Sequence, residues 1–134
     1  MSEGKQRVFV SYTHKDAPLA HKLFKALSER GMEVWTDAKL ATGASFRESV
    51  AKALRSASCY IVLVSDEALS SRSVNFEIGA ALGQEKQLIP VFLTKHAHRE
   101  APPLLRKRVG VVAERMSADD IAEHVVKAIE RAAA

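Results

Sequence analysis

Tyr60-Ile61-Val62-Leu63-Val64-Ser65, YIVLVS, is the stretch on which the fold turns. Its apolar run has no polar alternation, which describes a strand covered on both faces, as in the middle of a parallel sheet. Upstream, Arg7 to Tyr12 (RVFVSY) reads as another strand, and Asp16 is placed to cap a helix with Pro18 in its first turn. Leu19, Leu23, Phe24 and Leu27 form the apolar stripe of that helix, and Gly31 stops it. Met32 to Thr36 (MEVWT) is a second strand, and Asp37 to Ala44 is a loop containing Gly43. Ser45 and Glu48 have capping-box spacing and open a helix with Phe46, Val50, Ala53, Leu54 and Ala57 on one face.

Downstream, Asp66 to Ser73 reads as a polar loop, and Asn75 to Gln84 as a small-residue helix whose Gly79 and Gly83 would allow close packing on the sheet. Leu88 to Leu93 (LIPVFL) is a fourth strand. Pro90 inside it points to an edge or near-edge place or a local irregularity. Thr94 to Pro103 reads as irregular and Val109 to Ala113 as a weak fifth strand. Ser117 caps a last helix, with Asp119 and Asp120 in its first turn and Ile121, Val125 and Ile129 pointing inward. The order β-α-β-α-β-α-β-(irregular)-β-α predicts an α/β fold with a parallel sheet and helices on both faces. Neither a repeat nor a low-complexity linker divides the chain.

The 134 residues suffice for one domain with its own core, and the 47% hydrophobic and 27% charged fractions are those of a globular protein. The net charge of +4 tolerates an anionic ligand, but the cations are scattered and form no nucleic-acid stripe; the surplus is partly local, in Arg99 to Arg108. A single cysteine, Cys59, excludes an intrachain disulfide and reads as a small buried hydrophobe. No run approaches the roughly 18 apolar residues of a membrane span, and Met1 to Arg7 lacks the apolar core of a signal peptide. Cytoplasm is the expected location, with no direct contact to nucleic acid or membrane.

In open parallel sheets ligands bind beyond the carboxyl ends of the strands, where strand order reverses. For a five-stranded flavodoxin-like order that point lies between the first and third strands. It collects Ser11 to Lys15, Asp37 to Ser45 and Asp66 to Ser73. The chain has no G-x-G-x-x-G and no Walker lysine loop. A receiver-type phosphoacceptor site would need acidic residues where Ser11, Tyr12 and Ser65 stand, and a flavin-phosphate loop would need more glycine than Ser-Tyr-Thr-His-Lys supplies. His96 and His98 lack Cys or acidic partners for a metal and read as part of a solvated loop.

With these elements in place, an ordered set of boxes resembles the TIR (Toll/interleukin-1 receptor) domains. Phe9-Val10-Ser11-Tyr12 resembles their first box. Asp37, Lys39, Leu40, Gly43, Ser45 and Phe46 resemble their BB loop, and Tyr60 to Ser65 their third strand. Asn75-Phe76-Glu77-Ile78-Gly79-Ala80-Ala81 resembles the helix that carries the glutamate of the bacterial NAD+-cleaving members, and Leu88-Ile89-Pro90-Val91 the fourth strand. The likeness is strong over about Arg7 to Leu93. It implies a flavodoxin-like TIR fold with five parallel strands, forming a single domain over residues 1–134 with its core at about 7–132.

Some members of that family only assemble with other TIR domains, whereas others hydrolyse NAD+ or cyclise its ADP-ribose part. The resemblance implies that Glu77 is catalytic, that NAD+ is a substrate and not a cofactor, and that no metal is needed. It also implies self-association through the BB loop, with activity in the assembled state, in bacterial immune signalling or defence. Substrate-binding places follow at Ser11, Tyr12, Trp35, Asp37, Lys39, Gly43, Phe46 and Ser73. Ser73 is a departure, because many enzymatic members have tryptophan four residues before the glutamate.

The chemistry needs only one carboxylate. Ordinary glycosidases use two, one as an acid for the leaving group. Nicotinamide, by contrast, is already cationic in NAD+ and departs neutral. A single carboxylate can hold the ribose hydroxyls and stabilise oxocarbenium-like charge, and apolar neighbours Phe76 and Ile78 would raise its pKa by burial. The alternative for Glu77 is an exposed first-turn glutamate favoured by the helix dipole. Tyr12 is either a base-stacking or a strand-end core residue, and Trp35 leans to the core. Asp37 and Lys39 either touch ligand or shape the loop, where Gly43 serves backbone geometry. Ser45 reads as a cap, Phe46 as a staple or core residue, and His14 and Lys15 as a solvated face within reach of a phosphate. Two other functions compete: a non-catalytic TIR–TIR scaffold, and a nucleoside deoxyribosyltransferase-like enzyme.

Overall fold

The computed structural model describes residues 6–36, 52, 53 and 55–133. The BB-loop expectations (Asp37, Lys39, Leu40, Gly43, Ser45, Phe46), Glu48 of the capping box, and Val50 and Leu54 lie outside the described residues. Lys52, Ala53, Arg55 and Ser56 are helical, as the second-helix reading requires.

Among the described residues the sheet has five strands in the order β2-β1-β3-β4-β5, all parallel. They are β1 (Gln6–Ser11), β2 (Met32–Trp35), β3 (Cys59–Val64), β4 (Gln87–Phe92) and β5 (Val111–Val112). Strand order therefore reverses between β1 and β3, as expected of a flavodoxin-like fold. β3 is buried at every position, which is why its sequence shows no alternation.

Successive side chains of each strand point to opposite faces, and this sorts the core into two layers. Val8, Val10, Ile61, Leu63 and Val91 pack with α1 (Ala17–Glu29) and α6 (Ala118–Ala133). Phe9, Tyr60, Val62, Val64 and Phe92 face the other way. There they meet α2 (Asp66–Leu69), α3 (Arg72–Gly83), α4 (Lys95–Glu100) and α5 (Pro103–Arg106). Ile121, Val125 and Ile129 are buried as their spacing predicts. The Ser117 hydroxyl accepts from the Asp120 N–H at 3.1 Å. Arg30, just past α1, ties the first layer together by donating to the Ala26 carbonyl at 3.0 Å and to Asp119 at 3.3 Å. Gly31 takes a φ of +86°, a conformation glycine adopts without cost.

The structure corrects several local readings. Asp16 holds the N-cap position of α1 but makes no side-chain cap bond; its carboxylate is engaged elsewhere, as described below. Asp66 to Ser73 is not a loop: it holds one short helix and the start of another, each capped by a serine. Ser65 accepts from the Ala68 N–H and Ser71 from the Val74 N–H, each at 3.2 Å. The α3 helix accordingly starts at Arg72, which puts Glu77 in its second turn. Thr94 to Pro103 is also more ordered than its prolines suggest: the Thr94 hydroxyl caps α4 at 2.9 Å, and Pro103 sits in the first turn of α5.

Gly79 and Gly83 do not serve sheet packing. Both are exposed, and a Cβ at either would meet nothing within 4 Å. Among the described glycines, the one that allows a close approach is Gly110, where a Cβ would lie 2.5 Å from the Pro90 carbonyl oxygen. Pro90 thus sits in a strand one place from the sheet edge, and β5 pairs with β4 only from Val111 onward.

Cys59 is wholly buried at the start of β3. Burial pushes its thiol up to about 12, opposed in part by a backbone hydrogen bond from Tyr60.

Candidate functional site

At the carboxyl end of β1 the backbone leaves the sheet through Tyr12 and Thr13 into a 3-10 turn, His14–Asp16. Opposite it stand the corner between α2 and α3 and the first turn of α3. Between them lies a cleft of about 530 Å³ lined by Tyr12, Thr13, His14, Lys15, Glu67, Ser71 and Ser73. It occupies the switch point between β1 and β3, where the topology places a ligand.

A polar network shapes this end of the sheet. The Asp16 carboxylate oxygen Oδ2 accepts from Thr13 at 2.9 Å and from Ser65 at 2.6 Å, joining the loop after β1 to the end of β3. Asn75 donates from Nδ2 to the carbonyls of Leu69 (3.2 Å) and Ser71 (2.8 Å), which fixes the corner between α2 and α3. Lys15 reaches Glu67 across the cleft at 3.5 Å, with both side chains well exposed.

Glu77 lies deeper. It is four residues past Ser73, so the two share a helix face, one turn apart. Its side chain is 0% exposed, the deepest burial of any charged residue among the described residues. Burying a carboxylate is costly unless hydrogen bonds replace its water. Here the Ser11 hydroxyl, at the last position of β1, donates to Oε1 of Glu77. A hydroxyl has one proton to give. With that proton on Glu77, the Ser11 oxygen accepts from the Tyr60 hydroxyl, 2.5 Å away. Tyr60 is itself fully buried in β3, its ring packed on Phe9 at 5.8 Å between centroids. The result is a buried chain Tyr60–Ser11–Glu77, connected to the cleft lining by Tyr12, next to Ser11, and by Ser73, one turn before Glu77. The structure thereby replaces the exposed first-turn reading of Glu77 with a buried second-turn residue.

The other expected site residues divide. Tyr12 and Ser73 both line the cleft; Tyr12 is half-buried, edge-on to Phe24 at 5.5 Å, and Ser73 is exposed. Ser11 is buried and faces Glu77. Trp35 is half-buried against the same core layer as Phe9 and Tyr60, and its indole nitrogen donates to Glu33 at 2.9 Å. His14 and Lys15 are exposed cleft residues. His96 pairs with Asp66 at 3.1 Å, and the described residues contain no group of three or more His, Cys, Asp and Glu placed to hold a metal ion. Among the described residues no helix is long and apolar enough to cross a membrane.

The sequence reading missed Tyr60, Ser65 and Asp16 as members of this polar framework. Tyr60 carried a signal, being the one hydroxyl in an otherwise aliphatic Tyr60–Val64 run.

Comparison with known proteins agrees with this architecture. No curated protein matches the chain. Among solved structures, the TIR domain of the Toll-related receptor TRR-2 from Hydra magnipapillata is 17% identical with a TM-score of 0.69, covering 93% of this chain and 95% of that one. A metazoan TIR-STING receptor from C. gigas in complex with 2',3'-cGAMP is 24% identical with a TM-score of 0.72; the match covers 91% of this chain and 38% of the receptor. The CMP N-glycosidase BcmB from Clostridium botulinum is 15% identical with a TM-score of 0.56, covering 94% and 99%. At these identities the likeness is one of fold. The TIR-domain family model matches residues 8–129, nearly the whole described chain, and the protein belongs to the TIR-domain family.

Proposed function

We propose that this domain cleaves the nicotinamide–ribose bond of NAD+ in a self-assembled state, in bacterial immune signalling or defence, with Glu77 as the reacting carboxylate. The observation that carries this reading is Glu77 itself: a fully buried carboxylate one helix turn from Ser73 of the cleft lining, on the same helix face, and bonded to the residue preceding Tyr12. The C1′–N bond breaks with its electron pair passing to the nicotinamide nitrogen, which quenches the pyridinium charge, so no acid is required. The carboxylate stabilises the positive charge that develops on the ribose. Water then adds to C1′ and releases a proton, giving ADP-ribose and nicotinamide; capture by a group of the same molecule gives a cyclic product instead. His14 and Lys15 supply cationic and hydrogen-bonding groups at the cleft for the pyrophosphate. The N-glycosidase among the structural relatives supports the reading as an analogy of fold.

The complete burial of Glu77 fits activity that depends on assembly, since the carboxylate is sealed from solvent in the single chain. The matching experiment follows nicotinamide release as the domain is concentrated or clustered on a surface. Release that rises more steeply than domain concentration supports the reading, and no release from a demonstrably clustered domain rejects it.

The same burial favours a second reading, a TIR–TIR interaction module in which Glu77 is a satisfied core group. In that case Glu77→Gln leaves assembly and signalling intact.

A further inference from the structure

We propose that Tyr60 and Ser11 are positioning residues for Glu77, so that Ser11 acts on the carboxylate from below and makes no contact with substrate; this rests on Glu77 being the reacting group. Three observations carry it. All three side chains are buried, at 0%, 1% and 0% exposure for Tyr60, Ser11 and Glu77, so water does not compete for their hydrogen bonds. The bonds run in one line from Tyr60 through Ser11 to Oε1 of Glu77. The line crosses three elements, β3, β1 and α3, and the sheet fixes the first two relative to each other through the pairs Phe9↔Tyr60 and Ser11↔Val62.

The direction of the chain depends on the charge at its end. When Glu77 is ionised, Ser11 must donate to it, and Tyr60 must donate to Ser11. Each donation polarises the next in a low-dielectric setting, which favours the carboxylate and fixes the plane in which it presents its oxygens. When Glu77 is protonated the chain can reverse, with Glu77 donating to Ser11 and Ser11 to Tyr60. The Tyr60 hydroxyl therefore answers, through Ser11, to the protonation of Glu77. Tyr12, the next residue after Ser11, keeps the substrate side of the cleft, so positioning and binding are divided between neighbouring residues of one strand end.

The test uses Tyr60→Phe, which keeps the buried ring and removes only the hydroxyl, beside Ser11→Ala, which removes the direct donor. The Glu77 side-chain carbonyl carbon is titrated by 13C NMR, assigned by its loss in Glu77→Gln, and the pH profile of nicotinamide release is recorded on the clustered domain. Removing a donor from the charged form moves its titration to higher pH. Both variants should raise the Glu77 midpoint, Ser11→Ala by more, and the acid limb of kcat should move with it. Ser11→Ala should lower kcat about tenfold or more, with a smaller loss in Tyr60→Phe and little change in KM for either. An unchanged Glu77 midpoint in folded Tyr60→Phe overturns the proposal, as does a loss confined to KM. Should Tyr60→Phe fail to fold, an unmoved midpoint in Ser11→Ala overturns it equally. A midpoint that moves in a protein releasing no nicotinamide keeps the hydrogen-bonded chain and rejects the NAD+ reading.

Discussion

The Ser11 hydroxyl donates to Oε1 of Glu77, joining the end of β1 to the second turn of α3 across 66 positions of sequence. The bond spans the sheet–helix interface inside a layer built mainly of aliphatic and aromatic side chains. Glu77→Ala should therefore cost about 2–4 kcal/mol, from the hydroxyl left without its acceptor and the space left behind. Glu77→Gln keeps an acceptor in place and should cost about 1 kcal/mol. Urea unfolding with unchanged m-values measures both; equal costs would mean that the hydrogen bond contributes nothing.

Cleft residues should separate binding from stability. Lys15 is exposed and its pair with Glu67 lies at the surface, so Lys15→Ala should change stability by about 0.5 kcal/mol or less. If Lys15 meets the pyrophosphate, the same variant raises KM severalfold with kcat little changed. Ser73→Trp would give the cleft an aromatic wall and should lower KM about fivefold. An unaltered KM in both variants would move the substrate away from this cleft.

The glycines make opposite predictions. A methyl at Gly110 would meet the Pro90 carbonyl, so Gly110→Ala should destabilise by about 1–3 kcal/mol. Gly79 and Gly83 face open space within a helix, so Gly79→Ala should stabilise by about 0.5–1 kcal/mol. Thermal midpoints moving in opposite directions would confirm the placement of both.

Cys59 predicts an alkaline loss of stability. Its thiol is raised from 9.0 to about 12 in the folded protein, so between those values the unfolded chain gives up a proton that the folded chain keeps. The contribution is whole below pH 9 and falls by up to about 1.4 kcal/mol per pH unit above it. Cys59→Ala should flatten the stability curve between pH 9 and 11. The native thiol should also resist a thiol reagent at pH 8 until the protein unfolds; rapid labelling of the native protein would contradict its burial.

The asymmetry between what sequence conveyed and what it hid has a physical basis. β3 was legible because a central parallel strand is covered on both faces and shows no polar alternation, and α6 because Ile121, Val125 and Ile129 mark one helical face. Thr94 to Pro103 was opaque because its serviceable signals, the Thr94 cap and Pro103 in a first turn, look like breakers in a short segment. Gly79 and Gly83 misled because small residues in a helix suggest close packing, whereas which side they occupy depends on the helix's rotation against the sheet. That Glu77 lies on a helix after β3 was legible from the Asn75–Ala81 box; its second-turn position was not, because the cap at Ser71 sits in a stretch that reads as loop. The burial of Glu77 was foreshadowed by the apolar neighbours Phe76 and Ile78, but the hydrogen-bonded chain was not, because Ser11 and Tyr60 converge on it from two strands and no local pattern records such a meeting.

The most direct test of the central claim compares the clustered domain with its Glu77→Gln variant, matched for fold and assembly, by nicotinamide release from NAD+. The parent should release nicotinamide, and the variant should lose 100-fold or more of that rate, on the order of a removed transition-state charge contact. Equal release by the two, or none by a clustered parent, would contradict that claim.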